Sequence, residues 1–180
     1  MSKRKLIILD IDETLIFATE ISLETKADFF CSPYFIYRRP HVDEFLMYCR
    51  KEYEVAIWTS ASESYALDVI KSLFPINYPL AFIFTEDRCT KAFDHLTKSL
   101  RFIKDLKKVK RKGYSLQDVI VIENNPSNIS RQYANVIPVI SFIGDPSDNE
   151  LLQLMTYLDY LKAVEDVRKI EKRDWKNRIV

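Results

Sequence analysis

Glycine is almost missing: Gly113 and Gly144 are the only two in 180 residues. Neither falls in a G-x-x-x-x-G-K or G-x-G-x-x-G pattern, so nucleotide binding through a glycine-rich phosphate loop is excluded. Cysteine is scarce as well. Cys31, Cys49 and Cys89 are odd in number and widely spaced, with no C-x-x-C pair and only His41 and His95 to supplement them. That argues against a disulfide framework or a zinc site and leaves three reduced thiols used as small hydrophobes. No apolar run approaches the roughly 18 residues needed to cross a bilayer. The opening "MSKRKLIILDIDE" also meets acid before a signal-peptide core can form. Neither sign of charge dominates, with 27 basic against 26 acidic residues, so the basic field of a dedicated nucleic-acid binder is lacking. The expectation is a cytoplasmic protein, or a nuclear one in a eukaryotic cell, with no membrane and no direct nucleic-acid contact.

What is present is a chain with 47% hydrophobic residues, enough for one globular domain over residues 1–180 with a substantial core. Short β-rich runs recur at Leu6–Ile11, Glu54–Thr59, Ala81–Thr85, Val119–Glu123 and Val136–Phe142. They are continuously apolar rather than alternating, as strands covered on both faces are. Amphipathic patterns lie between them: "HVDEFLMYCRK", "SESYALDVIKSLF" and "DNELLQLMTYLDYLKAVEDVRKI". Ser60-x-x-Glu63 and Ser147-x-x-Glu150 read as capping boxes for the last two. Such alternation predicts an α/β fold, a doubly wound and mostly parallel sheet flanked by helices. Ligands in that architecture sit beyond the carboxyl ends of the strands.

Three segments stand outside the alternation. Residues 18–39 form an aromatic-rich insertion after the first strand, with room for a short hairpin and its aromatics used in packing. The run "KKVKRKG" is a solvated basic face, with docking of an acidic or phosphorylated partner as the other use of such a cluster. Residues 148–180 are a closing helix and charged tail that cap the sheet.

The first strand is where the pattern breaks. "KLIILDIDETLIF" places Asp10, Asp12 and Glu13 inside an apolar run, although removing an unpaired carboxylate from water costs far more than the neighbouring Leu or Ile returns. Other strand ends carry polar residues too: Thr14 after the first, Thr59 and Ser60 at the second, and Glu123, Asn124 and Asn125 at the fourth. Asp10 and Asp12 share a side in extended backbone, and two like charges so close call for a cation or a shared proton. Two carboxylates and the Asn124 amide oxygen are hard ligands suited to Mg²⁺. An aspartate, ionised at neutral pH, can attack phosphorus to give an aspartyl phosphate. A second carboxyl can protonate the leaving oxygen and later deprotonate water. Lys104, between Ile103 and Leu106, is the candidate cation for the phosphate. Glu13 has no assigned role and is read as facing solvent.

"LDIDETL" resembles the D-x-D-x-T motif of haloacid dehalogenase-like phosphatases. Downstream, "RRPHVDEFL", "IWTSASESYA", "FIKDL" and "VIVIENNPSN" resemble, in order, the signatures of the small C-terminal-domain phosphatases, the NLI-interacting-factor-like family. The resemblance implies that Asp10 is nucleophile and metal ligand. It makes Asp12 the general acid and base, with its main-chain carbonyl on the metal. Thr59 and Lys104 would bind phosphate, Asn124 the metal, and Thr14 would support the first loop. Glu123 stands where the family usually has aspartate and would act on the metal through water. The 18–39 insertion is short beside the hairpin that binds proline-containing phosphoserine peptides in eukaryotic relatives, so specificity for the RNA polymerase II tail does not carry over. The implied function is a Mg²⁺-dependent phosphomonoesterase acting on phosphoserine, phosphothreonine or phosphotyrosine in proteins. The alternatives are a phosphatase of a small phosphate ester and a non-catalytic protein-binding module on the same fold.

Overall fold

The computed structural model describes residues 4–94 and 98–178; His95 lies outside them. A central sheet of five parallel strands runs in the order β10–β9–β1–β5–β6. It comprises β1 (Leu6–Leu9), β5 (Glu54–Trp58), β6 (Ile83–Phe84), β9 (Val119–Glu123) and β10 (Val136–Pro138). Strand β1 is in the middle, with Leu9 level with Ile57 on one side and Ile122 on the other. All four of its residues are buried, which is why the sequence there is unbroken Leu and Ile rather than alternating.

The two faces of the sheet are covered unequally. Ile7 and Leu9 point into a core shared with α1 (Val42–Glu52), α2 (Glu63–Leu73) and α4 (Glu150–Lys162). In α1 the residues Val42, Phe45, Leu46 and Cys49 make the buried stripe, at the i, i+3, i+4, i+7 spacing of one helix face. Leu6 and Ile8 point the other way, into a smaller core with Trp58, Phe82, Phe84 and Val109, where the one α-helix is the single turn α3 (Lys107–Lys110).

Several expectations are corrected. The strand expected over Ala81–Thr85 pairs only at Ile83–Phe84, and that over Val136–Phe142 only through Pro138, beyond which the chain turns away. Neither capping box forms, because Glu63 and Glu150 are the first helical residues. Ser60 lies in a turn where Thr59 Oγ1 accepts from Ala61 N at 3.1 Å. Ser147 bonds back to Asp145, and Asp148 Oδ1 accepts from Glu150 N at 3.0 Å instead. The last helix stops at Lys162 rather than running to Ile170. The tail beyond it covers the open edge of β10, with buried Trp175 donating its indole N–H to Pro138 O at 2.7 Å.

The 18–39 segment is more regular than expected. It contributes to a three-stranded antiparallel sheet, β2 (Ile16–Thr19), β4 (Tyr34–Arg38) and β3 (Phe29–Cys31), in that spatial order. A second hairpin, β7 (Thr90–Asp94) with β8 (Ser99–Ile103), leads directly to Lys104.

Candidate active site

The chain leaves β1 at Asp10, whose N–H still donates to Ile122 O at 3.1 Å. It then folds into a tight loop in which Ile11 O receives N–H bonds from Thr14, Leu15 and Ile16. Glu13 sits at φ 57°, in the left-handed region, and this reversal lets Asp12 and Thr14 remain at the same sheet edge. The order of the strands reverses about β1 and β9: β5 and β6 build outward on one side of β1, and β9 and β10 on the other. Asp10 and Glu123 end the strands that flank this reversal, the position where open α/β sheets hold ligands.

Lys104 arrives from β8, its N–H fixed to Asn128 O at 2.7 Å. Its side chain is fully buried, with Nζ 2.7 Å from Asp10 Oδ1 and 2.6 Å from Glu123 Oε2. Burial opposes its charge, but the two carboxylates outweigh burial and raise its pKa. The other Glu123 oxygen accepts from Asn125 N at 3.2 Å and Asn128 Nδ2 at 3.3 Å. Burial and then the Asp10 charge push the Glu123 carboxyl above its ordinary value, while the Lys104 ammonium pulls it back. The extra methylene of glutamate thus carries this carboxylate to the lysine and the 125–128 turn.

Asp12 is half-buried and accepts a hydrogen bond from Tyr65 at 2.6 Å. Burial raises its pKa, the Tyr65 bond lowers it and the Asp10 charge raises it again, to about 6. Tyr65 was not among the residues singled out in the sequence. It sits in the first turn of α2, and only the fold brings that turn over the β1 loop. Glu13 is likewise corrected: half-buried, it accepts from Asn124 Nδ2 at 3.0 Å instead of facing solvent alone. Asn124 Nδ2 also donates to Ser141 Oγ at 3.1 Å, and its Oδ1 accepts a long 3.4 Å bond from buried Thr14. Thr59 follows the end of β5, one strand away, with its hydroxyl oxygen accepting from Ala61 N, which leaves its proton for an incoming oxygen.

All seven residues singled out for the site therefore lie at or just beyond the carboxyl ends of β1, β5 and β9, or reach there from β8. Among the described residues, Lys104 is the one cation paired with this acidic cluster; it contacts Asp10 and Glu123, while Asp12 and Glu13 have no ion-pair partner. The surplus of negative charge suits a divalent cation. No three His, Cys, Asp or Glu side chains among the described residues form a metal site by themselves. A set of two aspartates and one amide matches Mg²⁺, which keeps several waters and takes few protein ligands.

A model of the NLI interacting factor-like phosphatases matches residues 5–168. Nuclear envelope morphology protein 1 of Saccharomyces cerevisiae is 31% identical over 93% of this chain and 41% of its own length. CTD nuclear envelope phosphatase 1 of Xenopus tropicalis is 32% identical over 96% of this chain and 73% of its own length. The chain spans less than half of the yeast relative. A structure of the fission yeast RNA polymerase II CTD phosphatase Fcp1 shares the fold, with TM-score 0.58 and 18% identity over 98% of this chain and 49% of that one. From the first strand through the closing helix the sequence follows one pattern, and the chain belongs to the NLI interacting factor-like phosphatase family.

Proposed function

We propose that this chain is a phosphomonoesterase working through an aspartyl phosphate at Asp10, with phosphorylated proteins as substrate. The observation that carries it is the buried Asp10–Lys104–Glu123 chain of charges, with contacts of 2.7 and 2.6 Å, at the strand-order reversal. Lys104 engages Asp10 Oδ1, leaving Oδ2 to attack phosphorus. The new bond joins Asp10 Oδ2 to phosphorus as the bond from phosphorus to the ester oxygen breaks. Asp12, its carboxyl raised toward neutrality, gives its proton to the departing oxygen. In the second half, water attacks phosphorus, Asp12 takes its proton, and Asp10 is released with inorganic phosphate. Tyr65 holds Asp12 in place through both steps, and Thr59 donates its hydroxyl proton to a phosphate oxygen.

The electrostatic obstacle is large. Two unit negative charges about 4 Å apart repel by about 4 kcal/mol at an effective dielectric near 20. Lys104 offsets part of that repulsion. Asp10, the Asp12 carbonyl and Asn124 are the residues that would hold Mg²⁺, which supplies further positive charge for the phosphate.

A protein substrate is favoured because the insertion strands are only four, three and five residues long, too short to close over a metabolite. The names of two relatives, a nuclear envelope morphology protein and a nuclear envelope phosphatase, both refer to the nuclear envelope. We take that compartment, rather than the cytoplasm at large, as where this chain acts.

Hydrolysis of p-nitrophenyl phosphate should require Mg²⁺, stop on chelation and fall at least about a thousandfold in Asp10→Asn. Full activity in that variant would overturn the nucleophile. Absence of turnover on phosphopeptides and small esters, with tight binding to a protein, would favour the non-catalytic module.

A further inference from the structure

The basic run after Lys104 has no part in the chemistry above, yet it does not form an evenly solvated face. Lys107, Lys110, Arg111 and Lys112 are exposed, as is Arg88 from the turn after β6. Among the described residues none of these five has an ion-pair partner. The chain as a whole is balanced, 27 basic against 26 acidic residues, so concentrating these cations in one region leaves the remainder net negative.

The cations are also held in place. The Arg88 guanidinium lies 4.7 Å from the centre of the Phe84 ring. The Lys112 ammonium lies 5.4 Å from the Phe82 ring and 5.8 Å from the Phe84 ring. Lys108 Nζ donates to Arg88 O at 2.5 Å, tying α3 to the β6 turn. Between them are two adjoining cavities of about 310 and 420 Å³, both lined by Asp87, Arg88 and Lys112, the smaller also by Glu63 and the larger also by Lys108 and Arg111. Asp87 is the single acid in the larger one, and it accepts from Thr85 Oγ1 at 2.7 Å. This groove shares a wall with the candidate phosphate site: Thr59 N donates to Phe84 O at 2.9 Å, and Glu86 N to Ala61 O at 3.0 Å.

We propose that this groove binds an acidic or phosphorylated side chain that flanks the phosphoresidue in the protein substrate, and so selects substrates by a second negative charge. The inference rests on the phosphatase reading above. Position sets the spacing. The groove opens at the end of β6, two strands from β1, roughly 10 Å at a strand separation of about 4.8 Å. An extended peptide covers that in about three residues. A concave groove with cations stacked on rings, directly beside Thr59, fits a peptide chain better than a flat anionic membrane, where basic side chains reach outward among apolar ones.

Three phosphoserine peptides of equal length test the inference: one with neutral flanks, one with aspartates three and four residues before the phosphoserine, and one with them three and four residues after it. The full chain should hydrolyse one acidic peptide roughly tenfold more efficiently than the neutral one, through KM, with the preference fading at high salt. The triple variant R88E/R111E/K112E should lose the preference while keeping p-nitrophenyl phosphate turnover, and R88Q/R111Q/K112Q should lie between. Equal efficiency on all three peptides would overturn the groove. So would a charge reversal that slows the neutral peptide and p-nitrophenyl phosphate as much as the acidic one. So would loss of binding to phosphatidylserine vesicles with peptide preference intact. Fluorescence anisotropy with the same peptides separates the two proposals. If nothing is hydrolysed but the acidic peptide still binds in a charge-dependent way, the groove stands and the phosphatase reading fails.

Discussion

Lys104 is the residue on which the site depends. Its ammonium is fully buried between two carboxylates whose side chains are 8% and 0% exposed. Lys104→Met would leave both acids without a counter-charge, a loss of about 3–5 kcal/mol for breaking a buried pair from one side. A drop of that size should appear in the urea midpoint together with loss of turnover. Adding Glu123→Gln should recover part of the stability and none of the activity. This lysine is legible in the sequence through the resemblance of "FIKDL", since apolar neighbours alone suit a lysine at the surface equally well. Tyr65 is not, since a tyrosine in a helical stretch reads as packing until the fold sets its hydroxyl 2.6 Å from Asp12. Arg39 escaped notice for the same reason. It is buried, and its guanidinium joins Thr14 O, Ile140 O and Asp148, contacts that span over a hundred residues of chain.

Among the elements, long apolar strands and amphipathic helices are legible in the sequence, and their ends less so. Capping boxes were inferred from serine and glutamate spacing, but local polar groups compete for the same N–H donors. At α4 the competitor is Asp148, which accepts from Glu150 N and pairs with Arg39 at 2.9 and 2.8 Å. Burial raises the Asp148 carboxyl, but the Arg39 bond and the Glu150 N–H outweigh it and hold it below its ordinary 3.8. At pH below about 3.8, down to the lowered folded-state value, the unfolded chain binds the proton more readily, so folding stability falls as pH drops through that range. Asp148→Asn should therefore lower the urea midpoint at neutral pH and flatten its decline below about pH 4. A decline as steep as in the parent would contradict this role. The β7–β8 hairpin is not legible in the sequence because Thr90–Asp94 and Ser99–Ile103 mix charged and apolar residues without a strong period of two. Its pairing is set by the partner strand rather than by either segment alone.

At the scale of the whole molecule, the parallel sheet follows from its apolar strands. The site follows from topology: placing β1 between β5 and β9 brings together ends that are far apart in the chain. Asp10, Thr59 and Glu123 are legible as strand-end residues that a parallel sheet gathers on one edge, whereas which of them are neighbours depends on the strand order. The unequal covering of the two faces, three helices against the single turn of α3 and the short turns Leu116–Asp118 and Pro126–Ile129, is not legible in the sequence, because short turns carry too little periodicity to be recognised. It is also what leaves the basic groove open beside β6. On the proposed mechanism, Asp10 carries phosphate between the two halves of the reaction. Rapid acid quench during turnover of a ³²P-labelled phosphopeptide, followed by peptide mapping, tests it most directly. An acid-stable, hydroxylamine-sensitive phosphate on the peptide containing Asp10, formed and consumed at rates that match turnover, is the expected result. Turnover with no phosphoenzyme, or with the label on another residue, would contradict it.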